Sequence, residues 1–252
     1  MYDSTSIASQ VSRWTGLGVK LPQELSDAIA VFESLVYTEV GYQPVFDIAE
    51  VTAVNAEEKI KAFAEQLALA DVPGGGLSVL EKAKSHAVDV AARRVNALAR
   101  DAIPEVIEQL TPEFDQHAEA YTEAVSKLPE DLTAETLVAA GPDAVAAYGQ
   151  AQQEAQHLAK FDAWVFQTGQ LSGVLQREAE AVLRILRPST ALELVKLDGA
   201  AHKQADPSLV ALNPVFYTAA RRGVAFGINT LQEAAGIRSH LESAAASSIQ
   251  FA

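Results

Sequence analysis

Apolar side chains recur at three- and four-residue spacing along most of this chain, a pattern that predicts one helix after another. Leu25, Ile29, Phe32, Leu35 and Val36 form such a face after Pro22, a residue tolerated in a first turn, and Gly41 would end that helix. Residues 42–54, with Pro44 inside, fit a short strand, a loop or a helical turn equally well. Asn55-Ala56-Glu57-Glu58 is a capping-box pattern. The helix it opens is expected to carry Ile60, Phe63, Ala64 and Leu67 inward, up to a stop at Pro73-Gly74-Gly75-Gly76. Ser78 and Glu81 make a second box, opening a helix to about Ile103 with Val88, Ala91, Val95, Leu98 and Ala102 on one side. Pro104 is expected to kink or restart it. Thr111-Pro112-Glu113 reads as a new N-cap, and Phe114, Ala118, Tyr121 and Val125 as the stripe of a separate helix. A short helix from Thr133 ends at Gly141-Pro142.

The longest proline-free stretch lies between Pro142 and Pro188 and predicts one helix over 143–187, about 65 Å long. Its seam is Ala147, Ala151, Leu158, Phe161, Val165, Ser172, Leu175, Ala179, Val182 and Leu186. From Ala163 to Gln176 no side chain is charged, so that part needs cover from this chain or a partner. The seam positions are mostly small or polar where a two-stranded zipper uses branched aliphatics, which favours a bundle helix touched on several sides. Residues 1–20 read as an irregular arm anchored by Trp14 and Leu17. Residues 191–198 fit a strand or a helix. Asn213-Pro214 opens a last substantial helix that Gly236 closes, and the tail from Leu241 is rich in Ala and Ser.

These elements predict an all-α fold, an elongated helical bundle around the long helix 143–187. Helices 55–71, 78–103 and 112–128 pack along it. The expected organisation is an arm at 1–20, a bundle at 21–187, and a C-terminal helical cap or assembly arm at 188–252. Abundant alanine supports this, because alanine has the highest helix propensity and allows close packing. At 252 residues there is ample material for one large domain or two small ones.

The net charge of −14 is unevenly spread: residues 1–142 hold 10 basic and 23 acidic side chains, residues 143–252 hold 9 and 10. Ten acids and the single base Lys127 fall between Asp101 and Glu135. That stretch reads first as a solvated helix face, and second as a docking surface for a basic partner or cations. A chain of this charge repels phosphates at long range, so no nucleic-acid partner is expected. With no cysteine, thiol catalysis and thiolate metal sites are excluded. Met1 to Ser6 has neither a basic nor an apolar region, and no apolar run reaches the length of about 18 residues that a membrane span requires. A cytoplasmic protein, or a part of a particle assembled there, is the expectation.

Few motifs carry chemistry. Gly74–Gly76 lacks the preceding strand and the Gly-Lys-Ser/Thr ending of a phosphate loop, and reads as a hinge. Glu154 and His157 form one Glu-x-x-His pair, and Glu113 with His117 stand one turn apart. A di-iron carboxylate bundle needs two Glu-x-x-His pairs and two further glutamates, so polar surface pairs are the simpler reading. No cofactor is expected. Thr230–Leu241 resembles the core of a helix-turn-helix with Gly236 at its turn, but departs from it at Gln232 and Glu242. Trp14-Thr15-Gly16 resembles the Trp-x-Gly turn of small secreted helical hairpins over two fixed positions; an anchoring tryptophan is the reading taken. Gly-x-Ser-x-Gly, His-Glu-x-x-His and EF-hand patterns do not occur.

Small residues are more informative. Gly169-x-x-x-Gly173 lies in the uncharged window, and Gly223-x-x-x-Gly227 is assigned to the last helix. A helical glycine costs about 1 kcal/mol relative to alanine, so each pair suggests close approach of another backbone. Trp164, Val165 and Phe166 are consecutive and need cover on several sides. These seven residues are the candidate interface or close-packing positions. The function expected is that of a non-enzymatic structural or assembly protein, of the kind found in virions and scaffolds. It would act through a protein partner or as a homo-oligomer. The rivals are a helical metalloenzyme of di-iron type and a DNA-binding regulator.

Overall fold

A computed structural model of the chain describes residues 3–40, 45–52, 54–70, 77–171, 178–202 and 206–250. The fold is all-α, as the periodicity predicts. In order the helices are α1 (Ser4–Val11), α2 (Gln23–Tyr37), α3 (Ala56–Ala70), α4 (Val79–Ser126), α5 (Ala134–Ala139), α6 (Pro142–Leu171), α7 (Ala191–His202), α8 (Pro207–Val210), α9 (Pro214–Arg222) and α10 (Leu231–Gln250). Two-residue strands β1 (Leu186–Arg187) and β2 (Ala225–Phe226) pair antiparallel, Leu186 opposite Phe226. The chain divides into two compact units, residues 1–102 and 103–252.

In the first unit α1 and α2 pack on the opening part of α4. Ile7, Val11, Leu25, Ile29 and Phe32 bury against Ala92, Val95 and Ala99. Lys84 Nζ donates to Thr38 O at 2.6 Å, and Asn96 Nδ2 donates to Ser4 O at 3.1 Å. Within the expected irregular arm, Ser4–Leu17 is helical. Asp3 caps α1, and a 3-10 helix at Ser12–Leu17 follows, with Trp14 only 2% exposed. Ile7, Ala8 and Val11 sit at helical spacing, which the surrounding Ser and Thr obscure. The Ser78–Glu81 box forms as expected, Ser78 N donating to Glu81 Oε2 at 2.7 Å and Glu81 N to Ser78 Oγ at 3.1 Å. Asn55 does stand before α3, but its side chain turns back to accept from Thr52 N.

The longest helix is α4, not the element at 143–187. It runs 48 residues without a break at Pro104 or Pro112, and Thr111 caps nothing; its hydroxyl donates to Ile107 O. Each proline removes one backbone bond and costs about 3 kcal/mol in a helix interior. Both prolines, and residues 100 and 108 four positions before them, lie on the exposed side of the helix. On the other side Val95, Ala99, Ala102, Val106, Leu110, Phe114, Ala118, Tyr121 and Val125 continue one buried stripe through both positions. Tertiary packing outweighs local propensity here.

In the second unit α6 lays Ala147, Ala151, Leu158, Phe161 and Val165 in the core, as its seam predicts, against the part of α4 after Ile103. Phe114 and Phe161 meet edge to face at 5.3 Å. The helix ends at Leu171 among the described residues. Ser172 and Leu175 of the expected seam lie outside them. Residues 178–183 form a 3-10 helix and Leu186 is in β1, so 143–187 is not one helix. The carbonyls of residues 183–186 are taken by distant donors instead of amides four residues on. Gly227 N donates to Ile185 O, Asn229 N to Arg184 O, and Asn229 Nδ2 to both Leu183 O (2.7 Å) and Leu186 O (3.0 Å). Absence of proline had suggested a continuous helix; long-range partners override it.

Residues 191–198 are helical, within α7. Its Leu194 and Leu197 join Val182, Leu183, Leu186, Ala219, Val224, Ala234 and Leu241 in one apolar cluster. Asn213 does cap a helix, accepting from Val215 N and Phe216 N, but α9 closes at Gly223 rather than at Gly236. Gly236 lies inside α10, so the turn a helix-turn-helix requires is not formed there.

Candidate functional site

Three features deserve chemical scrutiny, and the first is α3 with the segment before it. Its apolar spacing was expected to point inward. Instead no residue from Ala56 to Leu69 is buried; Ile60 is 59% exposed, Leu67 48%, and Ala64 also faces solvent. Phe46 packs on Phe63, rings 5.0 Å apart, and the Lys59–Glu50 ion pair ties the preceding 3-10 turn (Ile48–Glu50) to the helix. Val45, Ile48 and Val54 are exposed beside them in sequence. The amphipathic pattern is real, but among the described residues Phe46 gives Phe63 partial cover while Ile60, Ala64 and Leu67 stay exposed.

The second feature is a polar cluster between α4 and α6. It unites the four residues singled out by their Glu and His spacing. Glu154 Oε2 accepts from His117 Nδ1 at 2.6 Å; Glu113 Oε1 lies 3.8 Å from His117 Nε2; and the His117 and His157 rings stack in parallel, 4.2 Å apart. The two carboxylates therefore address opposite edges of one imidazole and do not converge on a common point. Among the described residues, no group of three or more His, Asp and Glu side chains is placed to hold a metal ion. The His117–Glu154 hydrogen bond and the stacked rings join α4 to α6 as a polar clasp.

The third feature is the set of predicted interface residues. Trp164 (3% exposed) and Val165 (1%) are buried in the unit's own core, and Gly169 is buried with them. Phe166 is 41% exposed, with the Arg184 guanidinium 5.4 Å from its ring centroid. Gly173 lies outside the described residues. Gly223 and Gly227 do not share a helix: Gly223 is the left-handed cap of α9 at φ +67°, and Gly227 follows β2. The reason for Gly227 is a side chain rather than a helix. A Cβ there would fall 2.7 Å from Arg187 Nε. That guanidinium is held by Asn229 Oδ1 (2.7 Å) and Ile228 O (2.8 Å). Sequence spacing gave no sign of Asn229, which is 1% exposed and uses both ends of its amide.

Trp14-Thr15-Gly16 sits in the 3-10 turn joining α1 to α2, so it does link two helices, contrary to its reading as part of an irregular arm. No helix among the described residues is long and apolar enough to cross a membrane. Comparison with protein families, with characterised proteins and with solved structures finds no match.

Proposed function

We propose that this chain is a non-enzymatic structural or assembly protein that associates with a second copy of itself through α3. The observation that carries this reading is the exposure of the amphipathic face of α3. An isolated helix of this length is marginal in water, and most helical stability comes from covering such a face. Exposed apolar patches of this kind mark interaction sites.

Self-association is favoured over a foreign partner by the shape of the face. An antiparallel pair centred between Phe63 and Ala64 sets Phe63 against the small Ala64 of the partner and Ile60 against Leu67. Such a surface is self-complementary about a two-fold axis, as an isologous contact requires. The flanking side chains are of mixed sign, Glu57, Lys59 and Lys61, and the centring brings no like charges opposite each other.

Light scattering tests the reading. The chain of 26.8 kDa is expected at twice that mass at micromolar concentration, and Ile60→Glu with Leu67→Glu should return it to monomer with its helix content kept. A monomeric parent chain that acquires mass only with an added protein would replace self-association by docking to that partner. A monomer under every condition would remove the proposal.

A further inference from the structure

The second unit holds a cleft of about 420 Å³ between the end of α6, the residues leading into β1, α7 and the start of α9. Its volume falls in the range typical of small-molecule sites. Val182, Ile185 and Phe216 form apolar walls and are each 7% exposed or less; Val210 and Ala201 stand at the mouth. The polar groups gather at one side. Arg184 Nε and Nη2 donate to Asp162 Oδ1 and Oδ2 at 2.8 and 2.9 Å, a bidentate pair that is mostly buried.

The state of that pair defines what it recognises. A guanidinium has five N–H groups, and two are used on Asp162, so three remain to donate. Each Asp162 oxygen keeps acceptor capacity of its own. The pair is neutral as a whole. A carboxylate entering the cleft would gain Arg184 but meet Asp162, and an ammonium would suffer the reverse. A neutral head carrying both an acceptor and a donor matches both partners, and a primary amide is the simplest such group. Apolar atoms behind that head would meet Val182, Ile185 and Phe216, with the polar pair fixing orientation.

We propose that this cleft binds a small uncharged amphipathic molecule, with an amide-like head on the Arg184–Asp162 pair and an apolar body against Val182, Ile185 and Phe216. The site is independent of α3 and of self-association.

Methyl-resolved NMR of the full chain tests this with hexanamide as the probe. Saturable shifts are expected at the methyls of Val182, Ile185 and Val210. Hexanoate and hexylammonium should bind at least about tenfold more weakly. Ala201→Trp, at an exposed position on the mouth, should abolish the shifts while the rest of the spectrum is unchanged; Val210→Trp provides a second block should the first disturb α7. Absence of saturable shifts up to the solubility of hexanamide would overturn the site. So would equal binding in both blocked variants, and equal affinity for the three probes would overturn the role given to the polar pair.

Discussion

Replacing Asn229 by alanine isolates the contact that diverts residues 183–187 from helix. The side chain is 1% exposed and donates to Leu183 O and Leu186 O, whose own residues are fully buried. The substitution leaves both carbonyls without those donors where water has little access. An unsatisfied buried group costs about 1–3 kcal/mol, so the two together cost about 4 kcal/mol. The lost bond from Arg187 Nε adds little, because Arg187 is exposed and water can take the place of Oδ1. Against a total stability of about 5–15 kcal/mol this is a large fraction. One tryptophan lies in each unit, Trp14 in the first and Trp164 in the second. Urea unfolding followed by fluorescence in a Trp14→Phe background therefore reports the second unit alone. With a slope of about 2 kcal/mol per molar urea, the midpoint should fall by about 2 M. A fall under about 0.5 M, equivalent to about 1 kcal/mol, would mean that water satisfies the carbonyls and that Asn229 does not hold this region.

Four further outcomes follow from the same geometry. Gly227→Ala should destabilise the second unit by about 1–3 kcal/mol, and Arg187→Ala should relieve most of it in a double-mutant cycle, because the three atoms nearest the new Cβ all belong to the Arg187 side chain. Glu81, hydrogen-bonded by the Ser78 backbone and hydroxyl, has its carboxyl held below the ordinary 4.5. Its contribution is thus complete above 4.5 and lost as pH falls through the lowered value; NMR titration should show that shift, and Ser78→Ala should reverse it only in part, because the backbone N–H at position 78, the larger cause, still donates to Glu81. Burial pushes the Tyr121 hydroxyl, which donates to Leu212 O at 2.7 Å, well above its ordinary 10.0. The stability it confers is complete below 10 and lost at higher pH, and absorbance titration should show one tyrosine ionising only with unfolding, a signal that Tyr121→Phe removes. Trp164→Asp should unfold the second unit, by placing a charge in its core, and leave the transition reported by Trp14 in place; circular dichroism and fluorescence check both.

The fold class and the cores of α2, α6 and the last third of α4 are legible in the sequence because each rests on local periodicity. Tyr121, Phe114 and Leu158 lie where spacing puts them. What sequence missed was set at long range. Pro104 and Pro112 look like breaks until the stripe on the opposite face is seen to continue past them. Residues 178–187 look helical until Asn229 and Gly227, over 40 positions away, are found holding their carbonyls. The Glu113–His117 and Glu154–His157 pairs were visible as spacings, but that their rings stack and both carboxylates address His117 is a property of how two helices pack. For α3 the pattern was legible and its direction was not: periodicity shows that a face wants cover, never which chain supplies it.

The absence of cysteine makes the most direct test of that cover simple. Ala64 lies at the centre of the proposed pairing and Ala62 on the far side of the same helix. Mild oxidation of Ala64→Cys should give a covalent dimer on a non-reducing gel, and Ala62→Cys should give none. No dimer from Ala64→Cys, or equal dimer from both, would contradict association through the α3 face.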